Sequence, residues 1–486
     1  MAKENGNVEK MMLTAKKEEN FSDWYQQVII NSEFADYSAV SGMIVFRPMA
    51  YFAWDTIRSA TSELFKKSGI LDVYFPLFIP ERFLEKEKEH VEGFSPEVAW
   101  VTHAGKSKLD ERLAVRPTSE TIMYPSFAKW IRSWRDLPMR YNQWNSVVRW
   151  EFKHPTPFLR SREFLWNEGH TVFATREDAE AERDVILGIY AKILKEYLAL
   201  PGIPGKKTDK EKFAGAEASY SIEHMMPDGW AIQGPDFHND GQNFAKAFGI
   251  KFLDKDGNVK FAYQNTFAIS TRELGVMIAV HGDNKGLVIP PKLALIQAVI
   301  IPIYNNSNRE EVIAKCNELK EKIGKKIRAY IDDNEAYSPG WKFNEWELKG
   351  VPVRIEIGGK EAKEGFITVV RRDTLEKSQL SFEKAEAGIE KLLESIHESM
   401  YERAEKFMQG HIKKVSTMEE LKKAVQSGNF AQAPWCGSME CEDKIKEETG
   451  AKATNMPFKV QEEAKGKKCI YCGKDARAIV NFARSY

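Results

Sequence analysis

The chain has 486 residues, 43% hydrophobic and 12% aromatic, which suits roughly three domains with cores of their own. Lys+Arg and Asp+Glu both number 71, so net charge neither demands nor excludes a nucleic-acid partner, and a local basic face would suffice for one. No apolar run reaches membrane-span length, the polar N-terminus lacks a signal-peptide core, and five cysteines do not make a secreted disulfide scaffold, so a soluble cytoplasmic protein is expected.

Residues 1–20 are polar and charged and are expected to form a mobile arm. Trp24 to Tyr37 reads as a helix and a connection. From about Met49 to Lys67 an apolar stripe of Ala53, Ile57, Ala60 and Leu64 marks a helix, which Gly69 can end with positive φ. A strand over 73–79 follows, and its Pro76 suggests an edge or interface position. Phe94 to Leu113 reads as loop-rich, with a turn around Gly105. Arg116-Pro117-Thr118-Ser119-Glu120 then precedes an apolar, aromatic helix running to Trp134. Thr118 or Ser119 would cap that helix, and Glu120 would complement its dipole.

Ser146 to Phe173 reads as two antiparallel strands around a Pro-rich, basic loop. Val147, Arg149 and Glu151 share one face of the first strand; Phe164, Trp166, Glu168 and His170 share one face of the second. Buried charge and unpaired polar groups are costly, so such a face is expected to meet a ligand. Arg149 and Arg160 are suited to clamp a polyphosphate and Phe164 to stack on a base, with Lys153, His154 and Arg162 adding further cationic or potentially cationic groups. The plain alternative is a surface hairpin with a solvated loop.

Ala174 to Leu200 reads as a helix with a short lead-in, Gly202 to Lys212 as a basic loop, and Phe261 to Phe267 as a strand. Between them, Gly234-Pro235 has plain turn chemistry. Ser270-Thr271-Arg272-Glu273 fits a capping box with Ser270 at N-cap. Arg272 then sits in a first helical turn, where the dipole disfavours a cation and a bound anion would resolve the conflict. Pro290-Pro291 marks a boundary. Beyond it, strands at 299–303, 327–331 and 353–357 alternate with helices at 310–323 and 341–349, a compact α/β pattern in which Cys316 belongs to a buried helical stripe. Leu380 to Phe407 is a long amphipathic helix. In the last stretch, Cys436-x4-Cys441 and Cys469-x2-Cys472 offer four thiolates in two close pairs, suited to tetrahedral zinc, with Gly473 permitting a tight turn.

The pattern Arg149-x-Glu151, loop, Arg160-x3-Phe164 resembles the second signature motif of class II aminoacyl-tRNA synthetases. Gly69-Ile70-x2-Val73-x2-Pro76 resembles the first, although Ser68 stands where a basic residue is usual. The Arg272 segment resembles the third. Three further segments narrow the resemblance to the prolyl-tRNA synthetases: Arg116-Pro117-Thr118-Ser119-Glu120; Ala231 to His238 with Gly241 to Phe244; and His281-Gly282-Asp283-Asn284-x-Gly286-Leu287-Val288-x-Pro290-Pro291. Gly340 to Gly358 resembles the anticodon-binding domain of class IIa synthetases. The segment after 407, with Tyr486, resembles the C-terminal extension of archaeal- and eukaryotic-type prolyl enzymes, in which a terminal Tyr tucks back towards the catalytic domain.

The resemblance implies an α+β catalytic domain built on an antiparallel sheet with flanking helices over 21–290. It implies an α/β anticodon-binding domain over 291–407 and a small α/β zinc-binding domain over 408–486. The implied reaction is ligation of L-proline to tRNA(Pro) through a prolyl-adenylate, with ATP, Mg²⁺ and a structural Zn²⁺. The implied assembly is a homodimer, with neither DNA nor a membrane as partner. Arg149, Glu151, Arg160, Phe164, Gln233 and Arg272 would hold ATP, the three arginines as catalytic groups. Thr118, Glu120, Arg149, Trp166, Glu168, His170, His238 and Ser270 would hold proline. Phe343, Glu347 and Arg354 would meet the anticodon, Arg371 and Arg372 phosphate, and Cys436, Cys441, Cys469 and Cys472 the zinc. The interval between the second and third motifs, roughly 174–261, is too short for the editing insertion of bacterial-type prolyl enzymes, so no hydrolysis of alanyl-tRNA in cis is expected. Threonyl enzymes place a Cys on a catalytic zinc, and this chain has no Cys before Cys316. Seryl, histidyl and glycyl enzymes lack the prolyl segments. A synthetase-like binding protein with lost chemistry, or a zinc-containing nucleic-acid regulator, would leave most of these residues unused.

Overall fold

The structure, a computed structural model, describes residues 13–90, 97–150 and 154–486; side chains of 86–90 lie outside the description. Glu151 and Lys153, most of the proposed N-terminal arm and the first residues of the expected 94–113 loop therefore lie outside the described residues.

The described part of the arm packs. Lys17 Nζ donates to Gly282 O at 2.6 Å, Lys17 N donates to Asn284 Oδ1 at 2.8 Å, and Leu13 and Ala15 lie against the core. Helix α1 (Phe21–Asn31) follows, capped by Asn20. In α2 (Pro48–Lys67) Pro at the first position suits a helix start, and Gly69 at φ +78° ends it. Its buried face is Ala50, Ala53, Trp54, Ile57, Thr61 and Phe65. The stripe expected through Ala60 and Leu64 is thus rotated, leaving those two only partly buried. The strand expected at 73–79 is broken as well: β1 is Leu71–Asp72, Phe78–Pro80 pairs elsewhere, and Pro76 interrupts the run. The described part of the expected loop at 94–113 is a hairpin, Trp100–Ala104 with Ser107–Val115, turning at Gly105 with φ +61°.

Helix α3 (Glu120–Trp130) is followed by β2 (Met139–Val148), β3 (Glu163–Phe173) and α4 (Arg176–Glu196). Next come β4 (Ile203–Lys206), β5 (Ala218–Met225), β6 (Ala231–Gly241), β7 (Tyr263–Ala268) and α5 (Arg272–His281). Part of the segment expected as a basic loop is thus strand β4. The capping box expected at Ser270 does not form. The N-cap is Thr271, and Ser270 Oγ accepts from Arg272 N at 3.3 Å. Glu273 turns instead to buried His224, 3.1 Å away, because a charge partner in the interior outweighs a cap bond to a backbone N–H.

The second unit is β8 (Ala298–Ile303), α6 (Arg309–Ile323), β9 (Ala329–Ile331), α7 (Pro339–Leu348), β10 (Val353–Gly358), β11 (Phe366–Arg371), β12 (Lys377–Ser381) and α8 (Ala385–Gly410). Its sheet order is β9-β8-β10-β11-β12, with β8 parallel to both neighbours. Val312, Cys316, Leu319 and Ile323 form the buried stripe of α6 as expected. The antiparallel pair β11–β12 was not anticipated, and α8 starts five residues later than expected. The last unit contributes β13 (Ile412–Lys414), β14 (Phe430–Trp435), α9 (Met439–Thr449), β15 (Lys452–Pro457) and β16 (Ala478–Ala483).

The main sheet runs β13-β14-β16-β15-β4-β5-β6-β7-β3-β2-β1. Its inner strands, β4 to β3, are antiparallel neighbours, and α2 and α4 pack across them. The last unit extends this sheet, since β15 pairs with β4 at Met456↔Lys206 and Pro457↔Gly205.

Candidate active site

Side-chain parity on three adjacent strands builds the site. Thr266 of β7 pairs with His170 of β3 on one side and His238 of β6 on the other, so these three share a face. Phe164, Trp166, Glu168 and His170 line that face of β3, as the sequence alternation predicted. A cavity of about 260 Å³ lies over it. Of the predicted residues, Thr118, Glu120, Arg149, Trp166, Glu168, His170, Gln233 and His238 line this cavity.

Glu168 is the hub. It is 3% exposed and receives Ser119 N at 2.9 Å, Ser119 Oγ at 2.5 Å, Gln143 Nε2 at 3.2 Å and the Asn145 amide, with His170 Nε2 at 3.3 Å. Tyr124 Oη lies 3.1 Å from His170 Nδ1; donating there, it leaves the imidazole proton on Nε2, aimed at Glu168. Burial alone would raise the Glu168 pKa, but His170, Ser119 and Asn145 hold it below the usual value, so the carboxylate stays ionised. Ser119 occupies the N-cap of α3 without capping it, because its hydroxyl is committed to Glu168. Thr118 Oγ1 donates to Glu120, which is 4% exposed at the cavity wall.

Arg149 lies just past β2. Its Nε donates to Pro117 O at 3.0 Å, and its guanidinium sits 5.4 Å from the Phe164 ring and 5.1 Å from the Trp166 ring. Trp166 Nε1 donates to Asn145 Oδ1 at 2.7 Å, fixing the indole. Arg272 donates to Gln233 O at 3.0 Å. Burial lowers its pKa; Glu273 opposes this, and the nearby Arg149 charge adds to it. Two cations held close together, one in the first turn of α5, form an anion-seeking arrangement. Arg160 is exposed on the 154–162 turn, Phe164 meets Trp166 edge-on at 5.6 Å, and Ser270 bridges to Trp166; none of these three lines the cavity.

Several lining residues were not foreseen. Phe213 stacks on His238 with centroids 4.8 Å apart, and Ser219 Oγ lies 2.8 Å from His238 Nδ1. Lys207 Nζ donates to Glu223 Oε1 at 2.7 Å, and Asp236 accepts from Gln233 Nε2 at 2.9 Å. Thr266 follows from strand parity once His170 and His238 are known. The loop carrying Lys207, Glu211 and Phe213 has no periodicity that could have revealed it. A larger cavity of about 660 Å³, between Trp134, Arg140, Val185 and Phe252, holds none of the predicted residues.

In the second unit Phe343, Glu347 and Arg354 do come together. Arg354 donates to Glu347 at 2.6 Å and to Glu356 at 3.0–3.1 Å, with its guanidinium 4.1 Å from the Phe343 ring. Arg354 is 8% exposed, so these carboxylates already satisfy it. Arg372, expected to meet phosphate, is 3% exposed and forms a bidentate pair with Asp283 at 2.6 and 2.8 Å. It ties the second unit to the first. Arg371 is paired with Asp373.

Cys436, Cys441, Cys469 and Cys472 bring their sulfurs within 4.8 Å of one another. Cys436 Sγ is 3.6 Å from Cys441 Sγ and 3.7 Å from Cys472 Sγ. Tetrahedral thiolates at a Zn–S bond of about 2.3 Å are about 3.8 Å apart, so the cluster fits zinc. The loose first spacing spans a strand end and a helix start, with Gly437 at φ +89° between them; Gly473, at φ +71°, makes the second turn. Tyr486 N donates to Ala231 O at 3.1 Å and its hydroxyl reaches Asp228, so this residue does tuck against the catalytic sheet.

Family comparison agrees with the geometry. Residues 100–281 match the model for the tRNA synthetase class II core domain (G, H, P, S and T), 297–392 the anticodon binding domain, and 418–486 the prolyl-tRNA synthetase C-terminal domain. Proline–tRNA ligase 2 of Bacillus cereus is 47% identical over 479 residues, 98% of this chain and 99% of that protein. Proline–tRNA ligase of Alkaliphilus oremlandii is 47% identical over 470 residues, 96% and 97% of the two chains. The bifunctional glutamate/proline–tRNA ligase of Mus musculus is 47% identical over 498 residues, 98% of this chain and 33% of that one. With class II core, anticodon-binding and C-terminal units in one chain, and relatives this similar over nearly its full length, the chain belongs to the prolyl-tRNA synthetases.

Proposed function

We propose that the chain joins L-proline to tRNA(Pro) in two steps, forming a prolyl-adenylate with release of pyrophosphate and then transferring the prolyl group with release of AMP. The observation that carries this reading is the convergence, over one sheet face, of a carboxylate-lined apolar pocket with a close pair of arginines. Thr118 and Glu120 accept from the prolinium nitrogen. Trp166, Phe213 and His238 wall the ring, with His170 behind them. Glu168, saturated by its own donors, fixes Ser119, Asn145 and His170 rather than touching the substrate. Arg149 meets the substrate carboxylate and the α-phosphate, where charge develops during attack. Arg272 takes the γ-phosphate with Arg160, Phe164 stacks on adenine, and Gln233 and Glu151 complete the ATP set. Mg²⁺ travels with the nucleotide and neutralises phosphate charge. No nucleophilic side chain is required, because positioning and electrostatics suffice for adenylate formation.

A proline pocket cannot strongly exclude alanine, since missing methylenes are worth about 1–3 kcal/mol. Residues 174–262 are taken up by α4, β4 to β6 and their packing elements, which supports the absence of hydrolysis of alanyl-tRNA in cis. Exposed Tyr51, Leu71, Tyr74, Leu77 and Phe78 around α2 and β1 support a homodimer. The four cysteines hold a structural zinc that fixes the last unit. Phe343, Glu347 and Arg354 form one contacting group for the anticodon. Among the described residues no helix is long and apolar enough to cross a membrane, in keeping with a cytoplasmic enzyme acting on tRNA.

The test is amino-acid-dependent ATP–pyrophosphate exchange across all standard amino acids. Strong exchange with proline and weak exchange with alanine is expected. Exchange with a different amino acid overturns the substrate, and no exchange from folded, tRNA-binding protein favours a binding protein that has lost its chemistry.

A further inference from the structure

The 207–213 segment closes the cavity with Lys207, Glu211 and Phe213. Its two ends are fixed to β5: Lys207 N donates to Ser219 O at 2.8 Å, and Phe213 N donates to Ser219 Oγ at 2.9 Å. Its middle is organised by Thr208, whose carbonyl accepts from Glu211 N at 3.2 Å and Lys212 N at 3.0 Å. The segment between these two ends is itself neither helix nor strand, so its middle takes its height over the pocket from what packs against it.

That support comes from the last unit. Thr208 Oγ1 donates to Glu442 Oε1 at 3.1 Å, and the two residues are 1% and 2% exposed. Lys210 also pairs with Asp443, but at 25% and 52% side-chain exposure that pair contributes little. Glu442 lies in the first turn of α9, directly after Cys441, one of the four clustered thiols, and Asp443 follows it. A buried carboxylate with one protein hydrogen bond is a poor device for stability alone: Glu442 Oε2 has no protein hydrogen-bond partner in the structure. A fixed acceptor at this point does, however, place Thr208.

We infer that Glu442 is a positioning residue for the amino-acid pocket, holding Thr208 so that the 207–213 loop sets Phe213 against the bound ring. The inference rests on reading the cavity as the proline pocket. It makes the thiol-anchored helix α9 a strut for substrate binding. Phe213 walls the ring in the ground and transition states alike, so loosening the loop raises KM for proline with little change in kcat.

The experiment compares the full-length parent with Glu442→Ala, Glu442→Gln and Thr208→Val. It measures KM and kcat for proline and for ATP in pyrophosphate exchange, zinc per chain, and hydrogen–deuterium exchange of the 207–213 peptide. Glu442→Ala and Thr208→Val are expected to raise KM for proline about tenfold, the size of one buried hydrogen bond. KM for ATP and zinc content should stay unchanged, and 207–213 should exchange faster. Glu442→Gln keeps an acceptor for Thr208 and should restore most of the affinity. Thr208→Val changes no residue of the last unit, so it tests the strut if the Glu442 variants fold poorly; because Thr208 Oγ1 also accepts from Glu211 N at 3.3 Å, its effect counts for the strut only where it matches that of Glu442→Ala. An unchanged proline KM with unchanged exchange of 207–213 overturns the inference, as does a proline effect that tracks zinc loss. If the parent itself does not use proline, the pocket reading fails; the hydrogen–deuterium arm then decides the tether by itself.

Discussion

Replacing Glu168 by Gln changes one atom of a carboxylate that receives five donors, and the structure sets what that change costs. With the amide oxygen towards Ser119 Oγ, Gln143 and Asn145, the new NH2 faces Ser119 N–H, 2.9 Å from the present oxygen, and His170 Nε2, 3.3 Å from it. Turned the other way, it faces three donors. Either way at least one buried N–H loses its partner, which costs about 1–3 kcal/mol, and the surviving bonds lose charge assistance at about 1 kcal/mol each. A net loss of about 3 kcal/mol or more follows, and in a domain of this size that lowers the melting temperature by about 5–10 °C. The assay is thermal unfolding at fixed scan rate beside pyrophosphate exchange. A variant that melts within about 1 °C of the parent, yet binds proline far more weakly, would refute the reasoning. It would mean that Glu168 serves the substrate ammonium directly and that its network is incidental.

Asp240 is fully buried on β6, and burial first, then the Glu120 charge, with Thr266 partly opposing, raises its pKa well above the ordinary value. A raised carboxyl pKa stabilises below the unfolded value near 4 and loses that contribution as pH rises through the folded value. Asp240→Asn should therefore raise the melting temperature, more at pH 8 than at pH 5, as calorimetry would show. His281 is held neutral by burial, its pKa lowered to about 3, while its Nε2 lies 2.9 Å from Leu198 O. The unfolded chain then binds the extra proton, so stability falls as pH drops from about 6.5 towards 3, and His281→Gln should flatten that limb in acid-unfolding curves. Strong chelation should release about one zinc per chain and open four thiols to a thiol reagent while Cys316, buried in α6, stays protected; five equally protected thiols in a metal-free sample would contradict the zinc reading.

The face that lies under the cavity was legible because strand alternation is local: Phe164, Trp166, Glu168 and His170 follow a two-residue period that no distant contact can shift. The failures share a different cause. The capping box at Ser270 gave way to His224, a partner 49 residues from Glu273 in the chain. Arg372 looked like a phosphate ligand until Asp283, 89 positions away, claimed both its nitrogens. The stripe of α2 turned because α4 and the sheet, not the helix's own composition, decide which side is covered. The hairpin at 100–115 read as loop because the inner face of its longer strand, Leu109, Glu111 and Leu113, is only partly buried and carries a charged residue, which breaks the apolar alternation that marks a half-buried strand. Phe213 was missed because a loop has no period at all.

The same distinction explains why three sequence units do not behave as three separate bodies. Boundaries were expected at Pro290-Pro291 and after 407, but α8 runs across the second to Gly410, and β15 adds itself to the edge of β4 and converts an exposed strand edge into an interior one. Pro457, which has no N–H to give, stands at the last register pair, where the ladder ends. Around the seam Ile203, Met225 and Ala231 of the catalytic sheet are buried with Met408, Phe430 and Ala483 of the later chain. Asn455 reaches across to Ile203 O at 2.7 Å. A hydrophobic seam and a shared ladder leave little freedom for relative motion of β4 and β15. The loop that follows β4 closes the cavity over the sheet, so the geometry of the last unit is transmitted to that cavity through backbone rather than through a flexible linker.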